Sequence, residues 1–306
     1  MSAGGRPNLF IVGAPKCGSG SLWRYLAGHP QVFMSPLKEP NHFGSDVRTE
    51  RTVNERADYL ALFREAGDAP IVGEASVRYL RSRDAAAEIA VFDPAARIIV
   101  MVREPVAQMR SLHNHFTGRG IEDLEFEVAV EAGTERFRGR VTGAPLNPDF
   151  LDYRRAARYA EQLERYRAVF PPAQIHVIVQ EEFARDTPAV FRNLLGFLGI
   201  DDTYQPSFER HNVARRARSP RLMRWLVAPP AVIGRIGRRL LPPLIRKRIW
   251  HDRIRTPLFQ ATSVAEPPMP IDPDLEARLR AEYAPEVDRL ADLIDRPDLP
   301  ALWGYR

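Results

Sequence analysis

Short apolar runs recur along the chain, separated by longer stretches in which apolar residues follow helical spacing. Each run is too short for a buried helix and is bounded by glycine, proline or polar residues, which is typical of buried strands. The predicted strands are Leu9–Val12, Val32–Met34, Ile71–Val72, Ile98–Val102 and Ile175–Val179.

The stretches between and after these runs predict amphipathic helices, because apolar residues return every three or four positions and so share one helix face. The predicted helices are Ser21–Ala27, Asp152–Phe170, Thr187–Leu198 and Pro273–Ile294. Strands that alternate with helices of this length predict an α/β fold with a central parallel sheet.

The chain shows neither an internal repeat nor a clear linker, so a single domain over residues 1–306 is predicted. Its core covers about 7–212 and is followed by an Arg/Pro-rich, helical extension at 213–270 and a terminal helix within 271–306. Proline pairs should break the extension into short pieces. Residues 134–149 are rich in Gly, Arg, Pro and Asn and predict a loop over a site.

Composition is that of a globular protein, with 44% hydrophobic and 27% charged residues. Cys17 is the single cysteine, which excludes an intramolecular disulfide and a cysteine-based metal cluster. The N-terminal residues lack the basic and apolar regions of a signal peptide, and no apolar run reaches the roughly 20 residues of a membrane span. A cytoplasmic location is expected.

Positive charge is concentrated in residues 215–255, which hold thirteen Lys or Arg and one acid, whereas the whole chain has a net charge of +5. This segment predicts either an anionic partner or a solvated helical face. Trp225, Leu241 and Trp250 are among the apolar residues interleaved with the arginines, a pattern that indicates peripheral membrane contact. No helix-turn-helix or zinc pattern supports nucleic-acid binding.

A glycine-rich segment, residues 13–21, joins the first predicted strand to a helix. In this context backbone N–H groups and a helix N-terminus bind phosphate. Lys16 would add a positive charge, and Gly18 and Gly20 would let the backbone approach an anion. The alternative is a tight turn that requires glycine for its geometry alone.

This segment differs from the nucleotide-hydrolysing phosphate loop, G-x-x-x-x-G-K-[ST], because Gly18 is followed by serine and the lysine comes earlier. No apolar strand ends in an aspartate suited to magnesium, so no metal is expected. The dinucleotide pattern G-x-G-x-x-G is also not matched.

Residues 15–22 resemble the P-K-x-G-T-T-x-L loop of the sulfotransferases that use 3′-phosphoadenosine 5′-phosphosulfate (PAPS). Serine stands for the first threonine and glycine for the second, which removes one hydroxyl. The resemblance implies a P-loop-like fold and a 5′-phosphosulfate site formed by Lys16, Cys17, Gly18, Ser19, Gly20, Ser21 and Leu22. Cys17 is either a thiol with a lowered pKa at a helix N-terminus or a small loop residue.

A second phosphate site is predicted where the strand at residues 98–102 ends in Arg103, with Ser111 eight residues further on. An arginine can bind phosphate through two parallel hydrogen bonds. The alternative is a surface ion pair between Arg103 and Glu104. Arg103 and Ser111 resemble the family's 3′-phosphate site, and Arg215 and Arg216 occupy the region of a basic loop that closes over that phosphate in family members.

The resemblance covers most of the chain, lapses mainly at 225–270, and is nearest to a bacterial branch similar to the heparan sulfate sulfotransferases. Residues 38–43 resemble the family's K-E-P-h-F-F segment, and residues 73–79 its G-E-x-[ST]-P-x-Y segment. The resemblance implies that Glu39 is the general base, with His42 able to assist or replace it. Glu39 could instead pair with Lys38 or Arg48, and Glu74 is interpreted as structural or substrate-orienting.

The function implied is sulfuryl transfer from PAPS to a hydroxyl or amine of a carbohydrate, glycolipid or small-molecule acceptor. Lys16 would stabilise charge on the leaving phosphate. The alternative is a P-loop nucleotide kinase, or a nucleotide-binding protein without sulfuryl transfer. The sequence indicates neither the acceptor nor an oligomeric state.

Overall fold

The centre of the fold is a five-stranded parallel sheet with strand order β2-β3-β1-β4-β5. The computed structural model describes residues 5–47, 52–119, 121–137, 148–208, 215–217, 263–265 and 271–306. The strands of the sheet are β1 (Leu9–Gly13), β2 (Val32–Met34), β3 (Ile71–Ala75), β4 (Arg97–Val102) and β5 (Ile175–Val179). The predicted α/β fold with a central parallel sheet is therefore confirmed.

Helices flank this sheet and connect its strands. They are α1 (Ser19–Ala27), α2 (Arg56–Ala61), α3 (Ala85–Phe92), α4 (Pro105–Thr117), α5 (Phe126–Phe137), α6 (Tyr153–Ala156), α7 (Tyr159–Arg167), α8 (Gln180–Arg185), α9 (Thr187–Leu198), α10 (Pro273–Leu293) and α11 (Leu299–Leu302). The predicted helices at 187–198 and 273–294 are confirmed, the latter ending one residue earlier than predicted.

The single helix predicted over Asp152–Phe170 is instead two helices, α6 and α7. Side chains satisfy the backbone groups at the break, which allows the helix to be interrupted. The Gln162 amide donates to the Arg155 carbonyl at 2.7 Å, and the Ala160 N–H donates to the Glu286 carboxylate at 2.8 Å. Apolar periodicity does not report such caps.

The loop predicted at 134–149 begins later than expected, because α5 continues to Phe137. Residues 148–151 form a 3₁₀ turn, and residues 138–147 lie outside the described residues. Most of the Arg/Pro-rich extension at 213–270 also lies outside them. Its two described pieces, β6 (Arg215–Ala217) and β7 (Ser263–Ala265), form an antiparallel pair.

The chain divides into two compact units. The first, Met1–Met109, Arg154–Asn212 and Asp272–Arg306, contains the sheet and the terminal helices. The second, Arg110–Tyr153 and Val213–Ile271, contains α5 and the β6–β7 pair. Single-domain organisation stays a prediction. Within the described ranges, no helix has the length and apolarity needed to cross a membrane.

The core lies around β1 and β4, whose side chains are covered on both faces of the sheet. All five residues of β1 are buried, as are Ile98–Val102 of β4. A parallel sheet that is covered on both faces requires such continuous apolar strands. Phe10 of β1 meets Phe43 and Phe92 edge to face, with ring centroids 5.7 and 6.4 Å apart.

Gly13 ends β1 where the chain turns towards the glycine-rich segment. Its φ of 152° is rarely adopted by residues with a side chain. A Cβ atom there would lie 2.7 Å from the Leu80 Cβ and 3.0 Å from the Val77 carbonyl oxygen. The close approach of the segment after β3 therefore requires glycine at position 13.

We predict that Gly13→Ala lowers the free energy of unfolding by about 1–3 kcal/mol, because the added methyl group collides with neighbouring atoms that are not the ends of flexible side chains. Urea denaturation measures this change. Gly196→Ala is the matched control: Gly196 lies inside α9 with no atom within 4 Å of the added Cβ. That control should gain about 0.5–1 kcal/mol. Equal stability of the two variants would contradict the packing described for Gly13.

Candidate active site

Three neighbouring strands of the sheet end at the same edge, because β1 is parallel to both β3 and β4 and lies between them. The glycine-rich segment follows β1, Arg103 follows β4 directly, and Ala75 ends β3. In open parallel sheets, ligands bind beyond the carboxyl ends of the strands. This edge is therefore the candidate active site.

The backbone of the glycine-rich segment is shaped like an anion-binding loop. Lys16 and Gly18 adopt positive φ values of 69° and 99°, and α1 begins at Ser19 with Gly18 as its N-cap. The Gly18 carbonyl accepts the N–H groups of Ser21 and Leu22 at 3.0 and 3.2 Å. The N–H groups before Ser21 have no acceptor within the helix, so they are the ones suited to a phosphate.

The side chains of this segment divide into buried and accessible groups. Cys17 and, directly after the segment, Leu22 are fully buried and Ser19 is 6% exposed, whereas Lys16 and Ser21 are half-buried. Cys17 and Leu22 therefore pack in the core, and neither side chain is available to a nucleotide.

Burial raises the pKa of the Cys17 thiol to about 12, although the nearby Arg103 charge acts in the opposite direction. The thiol is therefore protonated at neutral pH, and its sulfur lies 3.6 Å from the Pro15 carbonyl oxygen. A lowered thiol pKa, one of the two alternatives from sequence, is wrong. Desolvation outweighs the lowering effects of the Arg103 and Lys16 charges here.

Arg103 joins the end of β4 to the glycine-rich segment. Its Nη1 donates to the carbonyl oxygen of Lys16 at 3.5 Å. Its Nε is buried, and among the described residues no group accepts a hydrogen bond from it. A buried guanidinium N–H without an acceptor is costly, and a phosphate oxygen would satisfy it. The positive charge of Arg103 and the N–H donors at this edge of the sheet thus suit a phosphorylated ligand.

Glu104, proposed from sequence as a surface partner of Arg103, caps α4 instead. Its carboxylate accepts the N–H groups of Val106 and Ala107 at 3.1 and 2.6 Å and the Tyr305 hydroxyl at 2.7 Å. An acid followed by proline at the first helical position is a capping pattern, and could have indicated this role from sequence.

Two further residues that hold the segments at this edge together were not predicted from the sequence. The Gln108 amide, fully buried, donates to the Pro15 carbonyl at 3.0 Å and so fastens the glycine-rich segment to α4. Glu181 accepts the Glu104 N–H at 3.1 Å and the Trp303 indole N–H at 2.9 Å. Both are long-range contacts that no local pattern encodes.

Glu39 lies beside the end of β3. Its backbone N–H donates to the Ala75 carbonyl at 2.9 Å, and its backbone adopts a φ of 59°. Its carboxylate forms an ion pair with Lys38 at 3.0 Å, and 36% of the Glu39 side chain is exposed. The pairing of Glu39 with Lys38, the alternative from sequence, is thus present. The carboxylate is still accessible to a substrate. Arg48 lies outside the described residues.

His42 is held by a hydrogen bond and a stacked ring. Its Nδ1 lies 2.7 Å from the Val53 carbonyl oxygen, and its ring lies parallel to Tyr59 with centroids 4.2 Å apart. A carbonyl only accepts hydrogen bonds, so Nδ1 carries the proton and Nε2 is the nitrogen that can accept one. This tautomer is compatible with a role as an assisting base.

Glu74 is fully buried in β3, beneath the segment that carries Glu39 and His42. Its carboxylate accepts hydroxyl hydrogen bonds from Ser76, Tyr59 and Tyr79 at 2.5, 2.8 and 2.8 Å. Burial raises the pKa of Glu74 to about 7; these hydrogen bonds lower it in part, and the charge of Glu39 raises it further. The Glu74 side chain is enclosed by protein, so it does not contact substrate.

The remaining predicted residues lie in the second compact unit. Ser111 is half-buried in the middle of α4, and Arg215 and Arg216 are in β6, opposite Ala265 and Val264. The side chains of Arg215 and Arg216 are not among those described. Roles for these three residues stay predictions, as do the catalytic and binding roles of the other site residues. No cluster of His, Cys, Asp or Glu suited to a metal ion occurs in the described residues.

Comparison with known proteins identifies relatives for most of the chain. Residues 56–205 match the model of a sulfotransferase family. Human carbohydrate sulfotransferase 15 is 26% identical, over 63% of this chain and 44% of its own length. Human heparan sulfate glucosamine 3-O-sulfotransferase 6 is 27% identical, over 63% of this chain and 52% of its own length. The chain thus spans about half the length of these relatives.

A bacterial structure matches the chain almost from end to end. A crystal structure of a sulfotransferase from Alicyclobacillus acidocaldarius superimposes with a TM-score of 0.73 and 30% sequence identity. The match covers 98% of this chain and 99% of the other. On this likeness the chain belongs to the sulfotransferase family.

Proposed function

We propose that the protein transfers a sulfuryl group from PAPS to a hydroxyl or amine of an acceptor. The observation that supports this most directly is the contact between Arg103 and the glycine-rich segment, with the Nη1 of Arg103 3.5 Å from the Lys16 carbonyl. Two groups suited to phosphate thus lie on adjacent strand ends. A donor with phosphates on both the 3′ and 5′ sides of its ribose could bind both the glycine-rich segment and Arg103.

The residues of the glycine-rich segment would hold the 5′ end of the donor. The backbone N–H groups before Ser21 and the hydroxyl of Ser21 would donate to its oxygens, while Lys16 would stabilise negative charge as the leaving phosphate forms. Arg103 would hold the 3′-phosphate through its unpartnered Nε. PAPS, when bound, supplies a sulfuryl group already joined to a phosphate leaving group.

Glu39 would remove the acceptor proton, with His42 as an alternative base. The Glu39 carboxylate lies 3.0 Å from the Lys38 ammonium, and a carboxylate is the form of this side chain that accepts a proton. A group that acts as a base needs access to the acceptor, and the partial exposure of Glu39 provides it. Because Glu39 is bonded to the end of β3, the base and the phosphate loop share one edge of the sheet.

The acceptor is proposed to be a carbohydrate, a glycolipid or a small molecule. The names of the relatives, a carbohydrate sulfotransferase and a heparan sulfate sulfotransferase, support the carbohydrate among these. None of the relatives reported favours the kinase alternative. Cytoplasmic location and membrane contact through residues 215–255 stay predictions, the latter segment lying almost wholly outside the described residues.

Nucleotide binding should depend on the 3′-phosphate through Arg103. We predict that Arg103→Ala weakens binding of 3′-phosphoadenosine 5′-phosphate by about 1.5–3 kcal/mol, roughly 10- to 150-fold, because charged hydrogen bonds are lost. Binding of 5′-AMP, which lacks only that phosphate, should change far less. Isothermal titration calorimetry measures both affinities.

Arg97→Ala is the matched control for this experiment, since Arg97 lies at the other end of the same strand. It should bind both nucleotides as the unaltered protein does. Equal affinity of the unaltered protein for the two nucleotides would contradict the role of Arg103. Tighter binding of ADP than of the 3′-phosphorylated nucleotide would favour the kinase alternative.

Removal of the proposed base should affect the rate without affecting donor binding. We predict that Glu39→Gln lowers kcat by about 10²–10⁴-fold and leaves the affinity for 3′-phosphoadenosine 5′-phosphate unchanged. The assay follows transfer of labelled sulfate from PAPS to a panel that contains a desulfated heparan oligosaccharide, a glycolipid and a phenol.

Glu65→Gln, at an exposed position, controls for the change of charge. His42→Gln tests the competing base in the same assay. If His42→Gln abolishes transfer while Glu39→Gln retains it, the base is His42.

A further inference from the structure

The segment that carries Glu39 and His42 has an unusual backbone. Glu39 and Asn41 both adopt positive φ values, 59° and 51°. Such conformations are unfavourable for residues with side chains, and asparagine tolerates them better than glutamate. The Asn41 amide closes the turn by donating to the Glu39 carbonyl at 2.8 Å. Contacts outside the segment must therefore hold Glu39 in this conformation.

Two buried hydroxyl groups provide such contacts. The Asn41 N–H donates to the Ser76 hydroxyl oxygen at 3.0 Å, and the Phe43 N–H donates to the Tyr79 hydroxyl oxygen at 3.3 Å. A hydroxyl can accept an N–H group only if its own hydrogen points elsewhere. The orientation of these two hydroxyl hydrogens thus decides whether these two hydrogen bonds form, in addition to the bond from the Glu39 N–H to the Ala75 carbonyl at 2.9 Å.

Glu74 sets that orientation. Above its pKa of about 7 the carboxylate is ionised and only accepts hydrogen bonds, and it accepts those of Ser76 and Tyr79 at 2.5 and 2.8 Å. Both hydroxyl hydrogens therefore point at Glu74, and both oxygens are turned towards the backbone N–H groups. Tyr59 donates to the same carboxylate but accepts no backbone N–H in the contacts described, and its ring stacks on His42.

We propose that Glu74 is a positioning residue for the reaction, which holds the proposed base Glu39 in place through the hydroxyl groups of Ser76 and Tyr79. The proposal rests on the proposed function, because that function assigns Glu39 the role of the base. Of the three hydroxyl groups bonded to Glu74, those of Ser76 and Tyr79 should therefore matter more for the rate of sulfuryl transfer than that of Tyr59.

The test compares Ser76→Ala and Tyr79→Phe with Tyr59→Phe, each of which removes one hydroxyl bonded to Glu74. The first two should lower kcat for sulfuryl transfer to the desulfated heparan oligosaccharide at least tenfold. The effect of Tyr59→Phe should be at least fivefold smaller. The Kd of 3′-phosphoadenosine 5′-phosphate should be unchanged in all three, because the glycine-rich segment keeps its contacts.

At about pH 8, where Glu74 is ionised, Glu74→Gln should resemble the first two variants, because its amide nitrogen donates where one carboxylate oxygen accepted and so turns away the hydrogen of Ser76 or those of Tyr59 and Tyr79. Tyr166→Phe is the matched control, since the Tyr166 hydroxyl is buried without a partner among the described residues. It should leave kcat as in the unaltered protein. Equal loss of kcat in Tyr59→Phe and Tyr79→Phe, or full kcat in Ser76→Ala and Tyr79→Phe, would overturn the proposal.

Hydrogen exchange separates this proposal from the proposed function, because it requires no acceptor. The amides of Asn41 and Phe43 should exchange faster in Ser76→Ala and Tyr79→Phe than in Tyr59→Phe, measured by mass spectrometry of peptides spanning 39–43. If exchange is the same in the three variants, Glu74 does not hold the segment. If exchange follows the prediction but the unaltered protein transfers no sulfuryl group, the proposed function fails while the structural link stands.

Discussion

The parallel pairing of β1 with β3 on one side and β4 on the other is the constraint on which the site depends. Parallel neighbours end at the same edge, so the segments that follow them come together without any specific contact between their side chains. The glycine-rich segment takes the central position, with Arg103 on the β4 side and Glu39 bonded to the β3 side. The groups proposed to bind the anions and the proposed base thus share one edge of the sheet.

The carboxylates near this edge differ in role because they differ in surroundings. Glu39 is partly exposed and paired with a lysine, whereas Glu74 is enclosed among hydroxyl groups and has a pKa of about 7. Glu104 is a helix cap that also accepts the hydroxyl of Tyr305. Of the three, Glu39 alone combines a charge-stabilising partner with an accessible carboxylate. The enclosed carboxylates act on backbone and side chains of the protein itself.

Sequence was sufficient for the strands and the family, because each depends on local pattern. The apolar runs at residues 9–12 and 98–102 are too short for typical buried helices and therefore indicated buried strands, and the residues after them carry motifs with fixed spacing. The break between α6 and α7 and the bond between Gln108 and Pro15 could not be predicted. Each depends on a hydrogen bond between a side chain and a backbone carbonyl in another element. Apolar periodicity does not contain that information.

A crystal structure of the protein with 3′-phosphoadenosine 5′-phosphate tests the central claim most directly, since it shows where both phosphates lie. We expect the 5′-phosphate against the backbone N–H groups that precede Ser21, and the 3′-phosphate within hydrogen-bonding distance of the Arg103 guanidinium. A nucleotide bound away from the shared strand ends, or with its 3′-phosphate out of reach of Arg103, would contradict the account.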